Sequence, residues 1–303
     1  LQDLTRGDVE HYVRSELSFH SELDDLGRKD KRYQALISEI GERAQGVFLW
    51  VFLVVRSLRD GLTHGDSIRT LEARLRGLPV QLEEFFKHML DQVDVVYRKD
   101  MAMAFQYALK ANEPLTLMTY AFLDKSNPDF VFNLELQPFD NHDIFLIHSK
   151  MRRRLQARCK GLLEDCIVPS ATAFWGHRVE FLHRTVRDFL QTAEIQKILS
   201  GYVEKSFNAN VSISRTFLGL IKARPESDDD LPNALDELMF HARQAEIETG
   251  SPDYKLWLNL ERIFETLAEK HKHSIFQYSR GKLLNEQQEE IVECRSMLEF
   301  HRS

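Results

Sequence analysis

The sequence predicts a mainly α-helical fold made of a helical subdomain, a winged helix with a small two-stranded β-wing, and a C-terminal helical array. Three observations predict it. Apolar residues recur at three- and four-residue spacing through most of the chain, the period of one buried helix face. Thirteen glycines and eight prolines in 303 residues are too few for a turn-rich β-protein. Strand-like stretches are few: the end of a strand at 1–4, GLLEDCIV at 161–168 and the alternating VEFLH at 179–183. A chain of this length can hold two or three domains, each with its own core. We divide it at residues 1–77, 78–190 and 191–303.

In order along the chain, residues 1–4 read as the end of a strand. Thr5 followed by Asp8 starts a helix that carries Val9, Tyr12, Val13 and Leu17 on one face. The polar stretch 18–31 reads as a loop. A long helix over 33–58 leads from Leu36, Ile37, Ile40 and Ala44 into the apolar run VFLWVFLVV, with Gly46 as a packing point or break. That run is nine residues long, about 13.5 Å of helix, which is less than half of a ~30 Å hydrocarbon core. It predicts a buried helix and no membrane association. Leu71, Leu75 and Leu78 form a short helix before Pro79.

The second domain starts with helices over 82–97, 101–111 and 115–123, then a long loop over 124–143 and a helix over 144–159. A strand at 161–168, a turn at 171–176 and a strand at 179–183 follow. Three helices, a fourth, two strands and a closing helix make the order of an elaborated winged helix. The last domain is helical over 195–207, 214–223, 231–248, 254–269 and 286–301, with the acidic ESDDD at 226–230 as a solvated linker.

The most informative stretch is VEFLHRTVRDFL at 179–190. Val179, Phe181 and His183 share one strand face. At Thr185 the period changes, and Val186, Phe189 and Leu190 fall on one helix face, with Thr185 and Asp188 placed as a capping pair. His183 is therefore held at a strand-to-helix joint. Its plain reading is a half-buried core histidine, and a ring fixed on both sides can also present one nitrogen to a ligand.

Several constellations carry less. A net charge of −7 argues against a dedicated nucleic-acid binder. The basic cluster Lys150, Arg152, Arg153, Arg154, Arg158 and Lys160 nevertheless precedes the wing, where a DNA-binding winged helix places its recognition helix, so a nucleic-acid-binding module is the rival function. A purely structural helical scaffold is another. Cys159, Cys166 and Cys294 have no metal-ligand spacing and read as free thiols of a reducing, cytoplasmic compartment. His271 and His273 point in different directions on a helix, so no metal site is expected. No triad or paired carboxylates point to catalysis. No G-x-x-x-x-G-K-[ST] loop occurs, and GYVEKS at 201–206 lacks the glycines that would let backbone amides cradle a phosphate.

Three motifs together resemble the region that follows the nucleotide-binding core of fungal NACHT-type STAND proteins, which are NLR-like signalling ATPases often fused to ankyrin repeats. LQDLTRGDVEHYV at 1–13 resembles the link from the core into the small helical subdomain. ERAQGVFLWVFLVVRSL at 42–58 sits where relatives carry a glycine-leucine-proline-leucine motif. The pair RCKGLLE at 158–164 and VEFLHRTVRDFL resembles the end of the family's winged helix. The resemblance implies a regulatory portion that closes over ADP in the resting state and is not catalytic by itself. His183 matches the histidine that touches the nucleotide phosphates, and Phe48 stands where the family's proline packs against adenine. It implies no cofactor bound by this chain alone, and ADP or ATP only with a NACHT core in cis or in trans. Protein–protein contacts would run through the helical tail. Leu182 and Arg184 flank the histidine where plant relatives have methionine and aspartate, and strand alternation places Arg184 towards solvent.

Overall fold

The computed structural model describes residues 2–18, 31–125, 127, 129–169, 171–224 and 230–277. Among them are fourteen α-helices and one two-stranded antiparallel sheet, so the fold is mainly α with a small β-wing. The chain divides into two compact units, 1–92 and 93–303.

The first unit opens with α1 (Gln2–Ser18), so residues 2–4 are helical and not the end of a strand. A strand needs a neighbour to pair its backbone groups, and this unit has no strand among its described residues; a helix satisfies those groups within itself. Val9, Val13 and Leu17 are buried on the predicted face. The long helix expected over 33–58 is two, α2 (Lys31–Ala44) and α3 (Phe48–Thr63). Gln45 and Gly46 separate them with φ of 49° and 83°, a left-handed pair that a continuous helix cannot hold. The apolar run then buries Trp50, Val51, Leu53, Val54 and Val55. Among the described residues no helix is long and apolar enough to cross a membrane.

The next helix, α4 (Ile68–Gly77), starts at Ser67, whose side chain accepts from the Thr70 N–H. Arg43 ties the end of α4 to α2 by donating to the carbonyls of Leu75 at 2.6 Å and Leu78 at 2.8 Å, a cation placed on a helix C-terminus. Trp50 Nε1 donates to Pro79 O at 2.7 Å. Helix α5 (Leu82–Asp91) ends the unit with Phe85, Phe86, Met89 and Leu90 buried.

In the second unit the helix expected over 82–97 does not continue. Asp94 accepts from the Val96 N–H at 3.1 Å and begins a separate 3₁₀ turn, Val95–Tyr97. Helix α6 (Arg98–Lys110) follows, then α7 (Leu117–Leu123), capped by Thr116. The predicted loop over 124–143 holds the four-residue helix α8 (Phe130–Asn133) and ends earlier than expected, because Asp140 caps α9 (Asn141–Cys159). Lys160 and Gly161, with φ of 50° and 74°, turn the chain from α9 into the wing.

The wing pairs β1 (Leu163–Ile167) with β2 (His177–Phe181), Leu163 opposite Phe181 and Ile167 opposite His177. On its other side β2 is pinned by Val179 N donating to Leu115 O at 2.8 Å. The tail comprises α10 (Arg184–Leu190), α11 (Ala193–Tyr202), α12 (Ala209–Ala223), α13 (Leu231–Thr249) and α14 (Tyr254–Gln277). Helix α12 is buried nearly all round and packs against α6, α7, α8, α13 and α14. Gly219 lets α7 and α8 approach it: an added Cβ would lie 2.9 Å from Val131 Cγ1 and 3.0 Å from the Phe122 ring. The helix expected over 286–301, the side chains of His271 and His273, Cys294, and most of the 18–31 and 226–230 segments lie outside the described residues.

Candidate functional site

His183 is the N-cap of α10, in an extended conformation at φ −158° and ψ 154°. Its Nδ1 accepts from the Thr185 N–H at 3.2 Å and lies 3.0 Å from Thr185 Oγ1. The expected Thr185–Asp188 capping pair is therefore not what starts this helix. The strand ends at Phe181, the chain bends at Leu182 and His183, and the imidazole reaches forward two residues as an Asn or Asp cap would. For the same reason His183 is exposed and is no half-buried core residue. Val186, Phe189 and Leu190 are buried on the predicted face of α10, and Arg184 is exposed. With Nδ1 used as an acceptor, the neutral ring carries its proton on Nε2.

Phe48 is the first residue of α3 in the other unit. It is 51% exposed, and its ring sits 4.9 Å from that of Tyr12 with the planes tilted by 56°. The ring covers the surface of α1 and is not part of the core.

Three of the six cations of the basic cluster on α9 are held by carboxylates. Arg152 holds Asp165 of β1, with Nε at 2.8 Å and Nη2 at 2.6 Å. Arg154 and Arg158 both donate to Asp124, and Arg158 also pairs with Asp100 at 2.8 Å. Arg158 and Asp124 keep side-chain exposures of only 12% and 10%, so this cluster fastens α9 to α6 and the end of α7.

A second polar cluster joins α9 to the wing. His148 is 5% exposed, and its Nε2 has no hydrogen-bond partner among the described residues. Its ring meets that of His177 edge to face, centroids 4.7 Å apart. His177 Nδ1 lies 3.0 Å from Asp165 Oδ1. Burial, then the neighbouring His177, lowers the pKa of His148 to about 4, with Asp165 working in the opposite direction. Sequence reasoning passed over this cluster, though a signal existed. His148 sits in the apolar stripe Ile144, Met151, Leu155 and Cys159 of α9. Cys159 is fully buried, and burial pushes its thiol up to about 12, so it is an inert packing residue.

Residues 92–232 match a domain family of unknown function, DUF7791. No curated protein and no solved structure matches the chain. The matched span starts at the boundary between the two units and ends in the first turn of α13. It takes in the wing, both polar clusters of α9 and His183.

Proposed function

We propose that the chain is a regulatory portion of a cytoplasmic NACHT/STAND signalling ATPase of the fungal immunity or incompatibility type. It would close over ADP held by a nucleotide-binding core and would perform no catalysis itself. The observation that carries this reading is the geometry of His183. An exposed imidazole, with Nδ1 committed to the α10 cap, offers Nε2–H as a fixed donor. A donor at ~3 Å from a phosphate oxygen makes a charge-assisted bond that only a closed state offers. Phe48, half exposed at the start of α3, has surface free to meet a base.

The carboxylates on Arg152, Arg154 and Arg158 favour this reading over a nucleic-acid-binding helix, because half of the six cations of the cluster already have an anionic partner. The test is association with a separately supplied NACHT core. Binding that requires ADP and weakens in His183→Ala supports the proposal. Binding that ignores nucleotide leaves only a scaffold role and overturns it.

A further inference from the structure

A cleft of about 360 Å³ lies within the second unit, among α6, α7, α8, α12 and the segment joining α11 to α12. Its volume falls in the range of small-molecule pockets. Met103, Phe122, Phe130 and Val211 give it apolar walls, and the rings of Phe122 and Phe130 lie 5.6 Å apart with planes tilted by 51°. Such a surface takes a flat apolar body.

The polar groups of the cleft are unequal. Lys99 is neutralised by Glu204 at 2.5 Å. Arg215 is held between Asp129 at 2.9 Å and Asp253 at 2.6 Å. Lys125 has no ion pair among the described residues, and its ammonium lies 6.0 Å from the Phe130 ring centroid. Thr216 also lines the cleft. It is only 4% exposed, yet its hydroxyl makes no hydrogen bond among the described residues. Among the described residues the cleft thus combines one cation without an ion pair, one threonine hydroxyl without a protein partner and an aromatic wall.

We infer that this cleft is a binding site for a small organic monoanion with a flat apolar body, an aromatic carboxylate or sulfonate. Lys125 faces the acid group, Phe122 and Phe130 pack on the ring, and Thr216 meets a polar atom of the ligand. The site is independent of the nucleotide reading and uses none of its residues.

The probes are 1-anilinonaphthalene-8-sulfonate and its uncharged analogue N-phenyl-1-naphthylamine, titrated by fluorescence into the full chain at pH 7. Native near-UV circular dichroism is checked throughout. The expected result is saturable one-to-one binding with Kd of roughly 10–100 μM. Lys125→Met should weaken the sulfonate about fivefold, as for a partly exposed ion pair, and leave the neutral probe within about twofold. Thr216→Val, the same size without the hydroxyl, should weaken the sulfonate by a similar factor. Absence of saturable binding up to about 1 mM overturns the site. So does sulfonate affinity unchanged by Lys125→Met, a surface substitution that decides the matter alone if Thr216→Val does not fold.

Discussion

The rings of His148 and His177 lie edge to face at 4.7 Å, where α9 meets the wing. His148 belongs to the core of α9, and His177 is the first residue of β2. Two imidazoles at this distance, one of them buried, cannot both be charged at low cost.

Stability should therefore depend on pH through His148. Its folded-state pKa is about 4 against an ordinary 6.5, so the unfolded chain binds the proton more tightly. Stability is complete above pH 6.5, falls as pH drops, and reaches its full loss of about 3 kcal/mol below pH 4. Urea denaturation of wild type and His148→Leu across this window measures the effect. The variant should lose most of the slope, and parallel profiles would remove His148 as its source.

Arg158 should be structural. Arg158→Met leaves the buried Asp124 with Arg154 alone and takes the partner from Asp100. The expected loss is about 3 kcal/mol, the lower end for a broken buried pair. It would be read as a lower urea midpoint at constant slope. A neutral result would mean that the carboxylates are solvated and α9 is free to act as a basic surface.

Gly219 and Gly201 should respond to alanine in opposite directions. At Gly219 the new methyl meets Val131 and Phe122 at 2.9–3.0 Å, and overpacking should cost about 1–3 kcal/mol. At Gly201, within α11, a methyl meets nothing within 4 Å and should stabilise by about 0.5–1 kcal/mol. Thermal melts of the two variants decide it. Equal shifts would contradict the close approach of α7 and α8 to α12.

Much of the architecture was legible because it is local. The stripe Val9, Val13, Leu17 and the pair Leu71, Leu75 are buried as their spacing requires. The alternation read over 179–183 survives in part: β2 runs His177–Phe181, with Val179 buried between exposed Arg178 and Glu180, and the strand ends two residues before His183. The misses arise where a cap or a left-handed residue overrides periodicity: Asp94 and Asp140 reset helix boundaries, and Gln45–Gly46 split an apolar run that looked continuous. At the candidate site the joint was legible, but its cap was not. A histidine ring acts there as Asn or Asp would, and nothing in spacing distinguishes that from a buried histidine. Long-range pairing was also out of reach. Asp124 and Asp100 stand far in sequence from Arg158, so the basic run looked like an open surface.

The central claim is that His183 carries its proton on Nε2 towards a phosphate while Nδ1 caps α10. Two substitutions separate those roles. His183→Ala loses both, and losing the cap costs about 1 kcal/mol. His183→Ser keeps a capping oxygen and is too short to reach a nucleotide. The decisive measurement is the dissociation rate of ADP from a protein carrying this chain behind its NACHT core. Release should be about tenfold or more faster in both variants, as for the loss of one charge-assisted bond. Release at the wild-type rate from His183→Ser would show that the histidine only caps its helix, and the proposed gate would fall.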